Sequence, residues 1–71
     1  MKYKGFEIRI IKDEYIEGGK LYSIYHQLIG WCVDYPSLDL AKDVIVLTND
    51  LMIKCDYSLS YALMRAINIV G

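Results

Sequence analysis

The chain has 71 residues and a mass of 8.2 kDa, which is room for one domain, residues 1–71, and no second. Hydrophobic residues make up 55% of it, with ten Ile, eight Leu and four Val, and this excludes a disordered charged tail. Eight basic residues against nine acidic ones exclude a general nucleic-acid-coating protein, which carries a basic surplus.

The first element runs from Tyr3 to Lys12. Phe6, Ile8 and Ile10 alternate with Glu7, Arg9 and Ile11, the period of a half-buried strand, and they are expected to face the core. Asp13 to Lys20 is a turn cluster in which Gly18-Gly19 can supply the positive φ of a hairpin return. Gly18-Gly19-Lys20 is not a phosphate loop, because the upstream glycine and the following Ser/Thr of that motif are missing.

A second strand is expected over Leu21 to Ile29, with Tyr22, Ile24, His26 and Leu28 on one face and Leu21, Ser23, Tyr25, Gln27 and Ile29 on the other. Gly30 interrupts it. Trp31 to Tyr35 resumes as a short third strand, and an antiparallel meander is the economical connection. Pro36 ends that strand, since proline cannot donate to a ladder.

Ser37 can cap a helix whose first turn holds Asp39. Leu40, Val44, Leu47 and Leu51 form its apolar stripe, flanked by Ala41, Thr48 and Met52. Asp39, Lys42, Asp43, Asn49 and Asp50 gather opposite. A rival reading makes residues 44–55 a hairpin, with Asn49-Asp50 as the turn, because Val44 to Thr48 has high strand propensity. Period 3.6 from Leu40 through Leu51 favours the helix. Asp56-Tyr57-Ser58 breaks the pattern, and Ser58 can cap a second helix with Leu59, Ala62, Leu63, Ala66, Ile67 and Val70 as its stripe. The expected fold is therefore α+β: a small antiparallel three-stranded sheet (β-β-β) followed by one or two α-helices packed on one face.

Charge is unevenly spread. Residues 1–12 carry a net of +3, residues 13–56 a net of −5, and the last fifteen only Arg65. Such asymmetry can steer a charged partner, although solvated faces also look like this. No catalytic set emerges. His26 is the lone histidine, and no Ser or Cys is placed by local sequence to use it as a base. Cys32 and Cys55 stand 23 apart without a CxxC, short of the ligand spacing of a zinc site, and read as reduced, buried thiols. Two cysteines also exclude a disulfide-dense secreted scaffold. Asp39 and Asp43 lie one helical turn apart, but hard cations usually need more oxygen ligands. Neither enzyme, metal nor cofactor is expected. Seven tyrosines and Trp31 lack interleaved Lys or Arg around Tyr22, Tyr25 and Trp31, so they read as core or interface rather than base-stacking groups, and direct nucleic-acid binding is not expected. No apolar run reaches about 18 residues and the start has no apolar h-region, so no membrane association and a cytoplasmic location are expected.

One constellation resembles the HicB-like antitoxin pattern. Glu17-Gly18-Gly19 precedes the aromatic Leu21-Tyr22, and Leu28-Ile29-Gly30 stands where that family has Leu-Pro-Gly. Seven residues after Gly30, Ser37-Leu38-Asp39-Leu40-Ala41 opens a helix in the manner of Thr-Leu-x-x-Ala. The resemblance covers residues 3–54, with Ile29 in the proline's place and Trp31 inserted before Cys32. It implies a truncated ribonuclease-H-like sheet without nuclease chemistry that works by covering a small RNA-cleaving toxin. The same build suits a phage-encoded inhibitor of a host nuclease complex, of the anti-CRISPR type. A small nucleic-acid-binding regulatory module is a further alternative. The partner is thus expected to be a protein, a nuclease or nucleoprotein complex. An inhibitor of such a partner meets a basic groove, and acids that copy phosphate spacing complement it. Asp34, Asp39, Asp43 and Asp50 are the candidate acids, with Trp31 and Tyr35 as aromatic anchors beside Asp34. The two helical stripes and the sheet also carry more apolar surface than so short a chain readily hides, so a homodimer or larger homo-oligomer is expected.

Overall fold

The alternating segments pair into one antiparallel sheet, and the two 3.6-period segments form helices over one of its faces. The computed structural model describes residues 1–15 and 18–71. The strands are β1 (Lys2–Tyr3), β2 (Phe6–Lys12), β3 (Lys20–His26) and β4 (Gly30–Tyr35), in the order β1-β2-β3-β4. The helices α1 (Leu38–Lys54) and α2 (Leu59–Val70) follow. The α+β class and the meander agree with the sequence reading, but the sheet has four strands rather than three. Lys4 and Gly5, with φ of 48° and 90°, make a two-residue turn inside the segment read as one strand. That turn hands Tyr3 to β1, opposite Phe6. The return between β2 and β3 uses the glycines expected for it, Gly18 at φ 82° and Gly19 at φ 72°. Glu17, part of the resemblance, lies outside the described residues.

The core is one row of the ladder under the helices. Ile8 pairs with Ile24, and Ile24 with Val33. Ile8 and Ile24 are fully buried with Val44 and Ile45 of α1, and Ala41, Leu63 and Ala66 join the same cluster. Ile10 shares the Ile8 face but is 53% exposed. It lies one pair further along, opposite Tyr22, where the helical cover has ended. Ile10 is therefore not the core residue its alternation suggested. β3 also stops at His26 rather than Ile29. The His26 Nδ1 accepts from the Leu28 N–H at 3.1 Å and its carbonyl from the Ile29 N–H at 3.2 Å, which closes a turn. That turn throws Leu28 out to 79% exposure.

Residues 44–55 do not form a hairpin: all but Cys55 belong to α1. Ser37 caps it by accepting from the Leu40 N–H at 3.5 Å, and Ser58 caps α2 through the Tyr61 N–H at 3.3 Å. Between them Asp56 takes a left-handed φ of 55°, which ends the first helical path. The α2 stripe is as expected, with Ala62, Leu63 and Ala66 buried and Leu59, Ile67 and Val70 half-buried. In α1 the buried set is Ala41, Val44, Ile45 and Thr48, while Leu40, Leu47 and Leu51 are only half-buried. The helix touches both the sheet and α2, so its apolar arc is wider than one stripe, and Ile45 falls inside it. Thr48 is tolerated there because its hydroxyl donates to the Val44 carbonyl at 2.7 Å.

Tyr35 is 4% exposed, and its hydroxyl has no hydrogen-bond partner among the described residues. Burial pushes its pKa up, so the phenol stays neutral. An unmade buried bond costs about 1–3 kcal/mol. Tyr35→Phe is therefore expected to stabilise the fold by about 1 kcal/mol, raising Tm by roughly 4–8 °C. A lower Tm in a thermal melt would show that the hydroxyl has a partner in solution.

Candidate functional site

The acids of α1 recur at spacings that keep them on one side of the helix. Asp39, Asp43, Val46, Asp50 and Ile53 follow one another by four, three, four and three residues, which is a single stripe. It lies away from the buried Ala41, Val44, Ile45 and Thr48. Asp39, Asp43 and Val46 are exposed, Asp50 is half-exposed, and Ile53 is 80% exposed. The one ion pair among the described residues is Arg9 to Glu7 at 2.9 Å, so none of these three carboxylates has a cation within ion-pair distance. Asp39 also sits in the first turn, where the helix dipole favours its charge. Toward the C-terminal end of the stripe, a groove of about 390 Å³ is lined by Lys4, Val46, Asn49, Asp50, Met52 and Ile53. The Asn49 amide forms its wall by donating to the Lys4 carbonyl at 3.1 Å.

Trp31 and Asp34 meet elsewhere, on β4. The Trp31 indole N–H donates to Asp34 Oδ1 at 2.8 Å, and the buried Ser23 hydroxyl donates to the same oxygen. The register explains the meeting: Arg9, Ser23 and Asp34 form one row across the sheet, and Glu7, Tyr25 and Trp31 the next. Glu7, Arg9, Ser23 and Tyr25 lie on the face away from the helices, while Trp31, on the edge strand past the register shift, also borders α2. On the open face the Arg9 guanidinium lies 3.9 Å from the Tyr25 ring centre. Its hydrogen bond holds the Glu7 carboxyl below the ordinary range. Asp34 is thus a pinned acceptor, whereas Asp39, Asp43 and Asp50 are open charges. Tyr35 belongs to the core and offers no anchor at the surface.

The basic N-terminal segment frames a third feature, a cleft of about 590 Å³ whose lining includes Lys2, Lys4, Arg9, Tyr25 and His26. The Nζ atoms of Lys42 and Lys4 lie 5.2 and 5.8 Å from the Tyr3 ring centre. His26 packs edge-on against Phe6 at 4.9 Å. Cys32 is half-buried, which pushes its thiol pKa up, but Cys55 is exposed at the end of α1 rather than buried. Both are free. Among the described residues no three His, Cys, Asp or Glu side chains gather as metal ligands, and no helix is long and apolar enough to cross a membrane.

Sequence reasoning found the acids of the stripe but missed Val46 and Ile53. Their signal was present: two apolar residues stand off the main apolar stripe, at heptad spacing with the acids. No family model matches this chain, and no curated protein or solved structure is similar to it.

Proposed function

We propose that this chain is a non-catalytic protein inhibitor that binds and blocks a nucleic-acid-acting partner, in the manner of the HicB-like antitoxins it resembles. The observation that carries the reading is the α1 stripe, with three carboxylates outside any ion pair beside exposed Val46 and Ile53. A partner built to hold phosphates presents basic side chains, and the stripe complements them while its apolar members supply desolvated contact. A phage-encoded inhibitor of a host nuclease complex would use the same surface. The test is co-expression with the product of the adjacent reading frame, with RNA cleavage as the readout. Inhibition at a fixed stoichiometry supports the antitoxin form. Cleavage unaffected by excess chain overturns it, and block of a host nuclease complex instead carries the phage form.

Inhibition by binding needs no reacting group. His26→Ala is expected to lose the turn contact to Leu28 and about 1 kcal/mol of stability while inhibition is retained. Treatment with chelator is expected to change nothing. Loss of inhibition by folded His26→Ala protein, or by chelated protein, would move the reading to an enzyme.

A second reading, a small nucleic-acid-binding module, draws on the cleft lined by Lys2, Lys4 and Arg9. It predicts a gel shift that weakens steeply with salt. The guanidinium of Arg9 is already engaged by Glu7 and Tyr25, and the Lys4 ammonium lies over the Tyr3 ring, which weakens the claim of that lining on phosphates.

A further inference from the structure

The sheet has an open side at β4, and next to it an apolar projection stands beside an apolar groove. Leu28, at the tip of the β3–β4 turn, is 79% exposed. The groove holds about 280 Å³, with Ile29, Trp31, Cys32, Leu63, Met64 and Ile67 in its walls. Ser60 and Asn68 complete the lining, and no Asp, Glu, Lys, Arg or His takes part. Trp31 is 58% exposed and Met64 52% exposed at the rim.

We propose that this face joins two copies of the chain in an isologous dimer, the Leu28 side chain of each copy seated in the groove of the other. A two-fold axis seats a projection in a recess reciprocally when both belong to one self-complementary patch, and Leu28 is the chain neighbour of Ile29, which forms a wall of the groove. Charge favours a second copy as the occupant. β4 has one charged residue, Asp34, and α2 has one, Arg65. Asp34 is held by Trp31 and Ser23, and Arg65 is not among the walls of the groove, so the groove itself brings no free charge against a second copy. The α1 stripe, by contrast, demands a basic partner and repels a copy of itself.

A stable interface covers about 800 Å² per partner. The chain exposes 4776 Å², so roughly a sixth of its surface must be covered. Trp31 is a pre-set anchor, since its indole is already fixed by Asp34 and little side-chain freedom is lost on contact. The register shift between Ile24 and Tyr25 bends β4 opposite Trp31. A long ladder between the two β4 edges is thereby disfavoured, and side-chain packing carries the contact. This inference is independent of the proposed inhibitor function, and its test needs no partner.

Sedimentation velocity at tens of micromolar is expected to give twice the 8.2 kDa chain mass. Leu28→Lys and Met64→Lys each alter an exposed side chain, so both should keep the native circular dichroism. Each is expected to weaken dimerisation about 30-fold. Ile53→Lys, on the α1 stripe, is expected to leave the dimer intact. Trp31 is the sole tryptophan, so its emission should move to shorter wavelength as concentration rises. A single-chain mass, a mass above the dimer, dimers that survive both substitutions, or a dimer lost on Ile53→Lys would each overturn the proposal.

Discussion

Ile24→Ala is expected to cost about 3–4 kcal/mol, and Ile10→Ala less than about 1 kcal/mol, although both residues face the helical side of the sheet. Ile24 lies on β3, which pairs with β2 on one side and β4 on the other, and it is fully buried between Ile8 and Val33. Val44 and Ile45 of α1 belong to the same cluster. Truncation would leave a void walled by two strands and a helix that cannot all close on it. A single core of this size supplies only about 3–5 kcal/mol. The variant should therefore lose most of its stability, with Tm lowered by roughly 12–32 °C. Ile10 is half in water already. Its truncation removes less transfer free energy and leaves no enclosed cavity. Thermal melts of the two variants in parallel decide the matter. Comparable losses would mean that the helices, or a second copy, cover Ile10 in solution.

The contrast between Ile10 and Ile24 also marks how far the sequence is legible. Period-two alternation assigns a residue to a face, and it placed Phe6 and Ile8 correctly, while for the second strand it separated two faces without saying which is buried. It carries no information on where the opposing layer ends, so it placed Ile10 in the core as well. The extra strand escaped for a related reason. Lys4-Gly5 has the chemistry of a two-residue turn, but the two residues of β1 before it are too few to show a period. The helices were more legible. Ser37 and Ser58 cap where cap chemistry put them, and the α2 stripe emerged intact because α2 has one broad apolar side. In α1 the Leu-based stripe was rotated from the buried one, since a helix in contact with a sheet and a second helix buries residues on two flanks.

The candidate surface was legible as charge and not as shape. Asp39, Asp43 and Asp50 follow from helical periodicity alone. That Asp34 is tied to Trp31 and Ser23 depends on which β3 residue stands opposite it, which is a matter of register. Tyr35 was read as an anchor because it adjoins Asp34 in sequence. The pleat sends it to the other face from Asp34, under the helices.

Replacing Asp39, Asp43 and Asp50 together by Asn is expected to slow association with a basic partner by about 10- to 100-fold at low ionic strength, and to flatten the dependence of the rate on salt. Open charges on one stripe act at a distance, so they govern encounter more than residence. Dissociation should change little by comparison. Asp34→Asn alone is expected to leave the association rate near that of the wild type, because that carboxylate is engaged by two donors and sits apart from the stripe. Ile53→Ala should act in the opposite sense to the charges, speeding dissociation with little effect on association, as an apolar contact does. The triple variant loses a favourable first-turn charge at Asp39, worth about 0.3–1 kcal/mol, and should remain folded. Stopped-flow association with the proposed nuclease partner at two salt concentrations separates these effects. A triple variant that binds at the wild-type rate in low salt would remove α1 as the steering surface. The open face of the sheet, with Tyr25 and Arg9, would then be the better candidate for the partner's seat.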